Sequence, residues 1–181
     1  MRRAFGRPFR RGAVGDVPPM LRRANQLMTA GDYAAATDAY EQFARAAEAR
    51  NGPRAPMIFL QAGRASMLSN QIPRGMTDLK HGLSLFAQRG RFGKVFNAGN
   101  RIVGELKEHN LNNEADEINT HVQSLLTGKT NFSQPVIPTR QAPLPTHCPS
   151  CGAAVRADEV EWLDEVTAEC AYCGSPVRGE N

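Results

Sequence analysis

Cys148, Cys151, Cys170 and Cys173 are the residues of this 181-residue chain whose type and spacing point to a defined chemistry, and they are its only cysteines. They form two C-x2-C pairs separated by the eighteen residues from Gly152 to Glu169, inside the roughly 15–20-residue window that reads as a zinc site. Each pair stands in a turn closed by glycine, Cys148-Pro149-Ser150-Cys151-Gly152 and Cys170-Ala171-Tyr172-Cys173-Gly174. Glycine supplies the positive φ with which such a turn aims backbone N–H groups at sulfur. Two turns of this kind offer four thiolates in a closed tetrahedral shell, the arrangement of a structural site with no open position for substrate. Zn2+ is the expected cofactor. Iron in the same four thiolates and a pair of disulfides are the alternatives that these residue types allow.

The elements that must position the cysteines are short. Ala153-Ala154-Val155, Val160-Glu161-Trp162 and Glu165 to Glu169 offer strands, and Trp162, the single tryptophan, is expected to cover the knuckles as a small core. A module spanning residues 147–181 is below the ~40-residue size at which metals or disulfides become necessary for folding. Zinc binding, worth about 10–16 kcal/mol in small finger peptides, supplies that deficit. The segment resembles the zinc-ribbon family, whose knuckles read C-P-x-C-G or C-x-x-C-G with a β-hairpin between or behind them. Rubredoxin, an iron protein of electron transfer, has similar knuckles, usually further apart.

Upstream the periodicity is helical. Asp16 is a candidate cap and Pro18-Pro19 suit a first turn, where the missing N–H has no partner to lose. Leu21, Ala24, Leu27 and Met28 follow Met20 on one face of a helix that stops at Gly31. Asp32 caps a second helix with Tyr33, Ala36, Thr37, Tyr40, Phe43, Ala44 and Ala47 inward, ending near Asn51-Gly52-Pro53. A third, near Pro56 to Ser69, turns Ile58, Ala62, Ala65 and Leu68 inward; Pro73 opens a fourth with Met76, Leu79, Leu83 and Phe86. After Gly90 a fifth carries Phe92, Val95, Phe96, Gly99, Ile102, Val103 and Leu106, and a sixth Leu111, Ala115, Ile118, Val122 and Leu125. Six amphipathic helices in three antiparallel hairpins predict a mainly α fold, a helical array over 18–127. A proline-rich linker follows over 128–146, with Phe132, Val136, Ile137 and Leu144 able to pin it along the body. The small β module of 147–181 closes the chain, and residues 1–17 form a basic arm.

The first hairpin resembles the tetratricopeptide repeat (TPR) family. Ala24-x2-Leu27-x3-Gly31-Asp32-Tyr33-x2-Ala36-x3-Tyr40 carries the small-Leu-Gly-Tyr-Ala-aromatic signature. In the second copy Ala65 and Leu68 fall forty-one residues after Ala24 and Leu27, with Asn70-Gln71-Ile72-Pro73 in place of the Gly-Asp-Tyr turn and Thr77 in place of Ala36. The third copy, with Leu106, Leu111, Ala115 and Ile118, follows by periodicity, and a three-hairpin bundle that merely looks repeat-like is the alternative. The resemblance implies a groove lined by the first helix of each pair that takes a peptide or partner segment. Asn25, Arg64, Asn97 and Arg101 lie on first-helix positions, either facing that groove or solvated. Family members that clamp a terminal carboxylate use asparagine where Asn25 stands, but want lysine where this chain has Leu21, so that activity is not carried over.

Charge sorts the remaining possibilities. Residues 1–23 carry seven arginines against Asp16, residues 24–145 thirteen Lys/Arg against ten Asp/Glu, and residues 146–181 two against seven. Four thiolates with one divalent ion make the tail more acidic still, and such a surface repels phosphate. Nucleic-acid contact is therefore expected only through the N-terminal arm, whose other reading is a solubilising tail. No apolar run approaches the ~20 residues of a membrane span. Met1-Arg2-Arg3 lacks the apolar stretch of a secretory signal, so a cytoplasmic location is expected, where cysteines stay reduced. His81, His109, His121 and His147 are scattered and read as helix-surface residues, and Glu114 and Glu117 as a solvated face. Gly128-Lys129-Thr130 and Gly90-Arg91-Phe92-Gly93-Lys94 imitate the end of a phosphate loop. Gln123 and Gln88 stand where its first glycine is required, and no strand precedes either. No catalytic residue and no small-molecule substrate emerge. The expectation is a non-enzymatic adaptor that binds a protein or peptide partner. The alternatives are a nucleic-acid-associated regulator acting through its basic arm and a rubredoxin-like electron carrier.

Overall fold

The computed structural model describes residues 18–129, 142–157, 160–170 and 173–179. The basic arm, Asp16, Phe132, Val136, Ile137 and Tyr172 lie outside the described residues. Six helices run in order: α1 (Pro19–Ala30), α2 (Tyr33–Glu48), α3 (Ala55–Leu68), α4 (Ile72–Gln88), α5 (Phe92–Glu108) and α6 (Asn112–Leu126). Prolines stand in the first turn of α1, α3 and α4, where a missing N–H costs no intrahelical bond. Asp32 caps α2, its Oδ1 accepting from the Ala35 N–H at 3.2 Å. None of the described helices is long and apolar enough to cross a membrane.

Each helix ends on a residue in the left-handed region: Gly31, Asn51, Asn70, Gly90, Asn110 and Gly128, with φ from 52° to 79°. Glycine and asparagine are the residues that take this conformation at least cost. The turn after α3 thus lies 39 residues after that of α1, and the turn after α5 lies 40 after that of α3. This corrects the forty-one-residue register expected from Ala65 and Leu68. Gly63 and Gly75, not Ala65 and Thr77, stand where Ala24 and Ala36 stand in the first hairpin, and Asn70 does the work of Gly31. The glycines let α3 and α4 approach closely: a Cβ on Gly63 would lie 2.6 Å from Leu79 Cγ, and one on Gly75 would lie 2.9 Å from the Gly63 carbonyl oxygen.

The core forms two clusters. One joins Met57 and Leu60 of α3 to α4, α5 and α6 through Leu79, Leu83, Phe86, Val95, Ile118 and Val122. The other joins α1, α2 and α3 through Leu21, Tyr40, Phe43, Ile58 and Phe59, and it also includes all four cysteines. The expected inward stripes hold in part. Met20 and Leu68 are exposed, at 39% and 38%, Tyr33 and the stripe residues Leu27, Met28, Phe92, Phe96, Val103, Leu111 and Leu125 are half-buried, and Glu41 is buried instead. Helix α3 is buried almost all round, with Met57, Phe59, Leu60, Gln61 and Ser66 added to the expected positions, because it packs between α2 and α4.

Polar side chains tie the second helices of the hairpins together. Arg74 of α4 meets Glu41 at 2.5 Å and Asp38 at 2.6 Å on α2. His81 of α4 meets Glu48 of α2 at 2.9 Å and the edge of the Phe59 ring. Lys80 pairs with Glu117 of α6, and His121 of α6 bonds Ser84 at 3.0 Å and the Lys80 carbonyl at 3.2 Å. His81 and His121 therefore join helices rather than standing free on the surface.

The C-terminal segment holds a three-stranded antiparallel sheet of β1 (Glu161–Trp162), β2 (Thr167–Glu169) and β3 (Pro176–Arg178), in the order β1-β2-β3. Strand β3 was not expected. Ala153-Ala154-Val155, expected as a strand, contributes only the isolated bridge of Ala154 to His147.

Candidate metal centre

The two cysteine turns repeat one backbone design. The Cys148 N–H donates to the Ala153 carbonyl at 2.8 Å and the Cys170 N–H to the Ser175 carbonyl at 2.9 Å. The Gly152 N–H returns to the Cys148 carbonyl at 2.8 Å and the Gly174 N–H to the Cys170 carbonyl at 2.9 Å. Gly152 and Gly174 both take φ of 68°. At Gly174 a side chain would also press on Glu169, its Cβ 3.0 Å from Oε1, whereas at Gly152 the space is open and the dihedral alone selects glycine.

These turns bring the four predicted ligands together. Cys148 Sγ lies 3.8 Å from Cys173 Sγ and Cys151 Sγ 3.7 Å from Cys170 Sγ, and all four sulfurs fall within 4.8 Å of one another. A regular tetrahedron with metal–sulfur bonds of ~2.3 Å has edges of about 3.8 Å, so the donor set fits a four-coordinate ion. A disulfide needs about 2.05 Å, and the four are free thiols. None is more than 2% exposed.

Electrostatics point the same way. Four thiols this close cannot all ionise without a cation between them. Hydrogen bonds donated by Cys148, Cys151 and Cys170 hold Cys173 far below the ordinary thiol range. Cys148 is lowered to about 7, chiefly by the bond it accepts from Cys151. Cys151 and Cys170 are pushed far up, each first by its bond to Cys148. A divalent ion would relieve this crowding and release the retained protons.

What packs around the sulfurs was only partly foreseen. Ala153 and Val177 lie with them in one apolar cluster, and Leu144 and Val155 pack against it. Trp162 is buried at 8% exposure but lies outside that cluster, so the small core over the knuckles is Val177, from the unexpected strand β3. The rest of the cover is helical: Leu21, Ala24, Tyr40 and Phe59 belong to the same cluster.

Three polar anchors join the knuckles to the helices. Asn25 Nδ2 donates to the Cys151 carbonyl at 2.9 Å, and the Tyr40 hydroxyl donates to Asn25 Oδ1 at 2.7 Å. Lys94 Nζ of α5 lies 2.8 Å from Glu169 Oε2, both side chains 10% exposed, with Arg91 3.6 Å from the same oxygen. Arg54, before α3, donates to Ser175 Oγ at 3.0 Å, and Ser175 stands two residues after Cys173. Of the four first-helix polar residues, only Asn25 reaches the centre. Arg64 pairs with Glu105 at 3.2 Å and Arg101 lies 4.0 Å from the same carboxylate, while Asn97 is half-buried. Arg64 and Arg101 instead line a cavity of about 420 Å³ between α3 and α5, floored by Leu60, Met67, Ile102 and Leu106.

No protein-family model matches the chain, and no curated protein and no solved structure matches it.

Proposed function

We propose that this protein is a non-enzymatic adaptor whose four cysteines hold one structural Zn2+ and whose helical array presents a docking face to a protein or peptide partner. The carrying observation is the closed cysteine centre: four sulfurs at tetrahedral spacing, buried on every side. Such a centre leaves no position for substrate or attacking water, so its effect is to hold surfaces in place. The recurrence of helix ends at 39 and 40 residues supports a helical-repeat array, of longer period than the ~34 residues of a TPR, and the TPR likeness rests on the first hairpin's signature. The two equivalent knuckles support a zinc-ribbon module. The cleft between α3 and α5 supports a partner site, with an apolar floor and the Arg64–Glu105 pair at its rim. Thiols of this kind are kept for metal in a reducing compartment, which fits the cytoplasm.

Metal analysis with an absorption spectrum tests the centre. One zinc per chain, lost in the Cys148→Ser, Cys173→Ser double variant, is the expected result; a visible-absorbing iron centre or a folded, metal-free tail overturns it. Affinity capture with the full chain and with Arg64→Glu, Leu68→Glu tests the cleft, which both residues line. A partner held by the wild type and released by the double variant is expected, and equal retention by both would refute a partner site there.

A further inference from the structure

Each polar anchor on the ribbon side lies on or beside a cysteine. The first is the carbonyl of Cys151 itself. Glu169 immediately precedes Cys170, and Ser175 follows Cys173 by two residues. The body-side partners come from far away in the chain: Asn25 is 126 residues from Cys151 and Arg54 is 121 from Ser175. None of these three contacts can keep its geometry unless the knuckle that bears it is folded. The apolar contacts obey the same condition, since the sulfurs belong to one cluster with Leu21, Tyr40 and Phe59.

On the reading of the four cysteines as a metal centre, we infer that Asn25, Arg54 and Lys94 are positioning residues for it, so that metal occupancy and the docking of the ribbon onto the helices form one linked equilibrium. The helical body holds the loops that carry the ligands, as outer-shell groups hold a metal site elsewhere. By reciprocity the bound metal holds the ribbon on the body. Metal loss frees the ribbon and uncovers an apolar face around Leu21 and Phe59, ringed by Asn25, Arg54, Arg91 and Lys94. The centre is then a latch on the face of the first helices rather than a fastening internal to the tail.

Transfer of zinc from the full chain to a chromogenic chelator tests this. Asn25→Leu and Lys94→Met are expected to speed release by roughly 10–100-fold, the usual effect of losing an outer-shell group, while Lys94→Arg, which keeps the charge, stays near the wild type. Arg54→Ala touches the ribbon from a third point and is expected to act in the same direction, so the outcome does not depend on whether Asn25→Leu folds. Stripping zinc from the wild type is expected to speed amide exchange along α1 and at the start of α3 while leaving α6 protected. Release at the wild-type rate from Lys94→Met and Arg54→Ala, or unchanged exchange in α1 after stripping, overturns the linkage while leaving the metal centre intact. A full chain that binds no zinc overturns both.

Discussion

Asp78 of α4 and Glu41 of α2 are both buried beside Arg74, and Asp78 Oδ2 has no hydrogen-bond partner among the described residues. Burial, then the Glu41 charge, raises Asp78 to about 7, while the Arg74 hydrogen bond holds Glu41 below the usual carboxylate range. The folded chain therefore keeps the Asp78 proton up to near neutrality, whereas the unfolded chain releases it near pH ~4. Between those values folding takes up a proton, and this contribution makes stability fall as pH rises. Glu41 works oppositely, adding stability above its unfolded value that is lost as pH falls below it. Asp78→Asn keeps the side chain neutral without needing a proton. It is expected to exceed the wild type by about 1–2 kcal/mol at pH 8, discounted because solvent reaches Arg74 and Asp38, and to flatten the decline between pH 5 and 7. Urea melts across that range measure it, and equal slopes in both proteins would show that Asp78 is ionised when folded. Tyr40→Phe belongs to the same scale: it leaves Asn25 Oδ1 without its hydroxyl donor and is expected to cost about 1–2 kcal/mol. The loss should shrink in an Asn25→Leu background, as a double-mutant cycle would report.

The helices depend on where glycine is required and where it is merely tolerated. Gly75 lies in the α3–α4 contact, where a Cβ would meet the Gly63 carbonyl at 2.9 Å, whereas Gly104 on the exposed side of α5 has nothing within 4 Å. Gly75→Ala is therefore expected to cost about 1–3 kcal/mol through backbone displacement that no rotamer change relieves. Gly104→Ala is expected to gain up to ~1 kcal/mol from helix propensity. Thermal melts should separate the two in opposite directions, at roughly 2–4 °C per kcal/mol for a chain of this size; shifts of the same sign would contradict the close packing of α3 on α4. This contrast also marks what the sequence could express. The six helices were legible because each keeps apolar residues three and four apart and ends on Gly, or on Asn51, Asn70 or Asn110. The repeat register was not legible, because Gly63 and Gly75 replace Ala24 and Ala36 and look like helix breakers rather than packing residues. Strand β3 was missed for a similar reason: Pro176-Val177-Arg178 is too short for alternation to show, and only its pairing with Thr167 to Glu169 identifies it.

For the molecule as a whole, the four-cysteine cluster was legible because a C-x2-C pair is local, while the seat of the C-terminal module was not, because no periodicity records that Lys94 meets Glu169. The opposite charges of tail and body were a trace of that seat, and they gain meaning once Glu169 lies between Lys94 and Arg91. The seat changes what metal removal should do. A tethered module would melt alone and leave six helices untouched. Here the cysteines share a cluster with α1, α2, α3 and Leu85 of α4, while the other cluster joins α3 and α4 to α5 and α6 without them. Chelation is therefore expected to loosen the first half of the array along with the C-terminal module and spare the second. On the proposed reading of the centre as a zinc site, an ion present at about 1,000-fold its dissociation constant would contribute about 4 kcal/mol, so on its removal the first transition should move down by roughly 8–16 °C. A calorimetric scan that shows one transition with zinc and two without it, with exchange protection lost in α1 and α2 but kept in α5 and α6, is the expected record. Helical signal unchanged on chelation, with only Trp162 emission altered, would instead describe a C-terminal module that rests on the helices without supporting them.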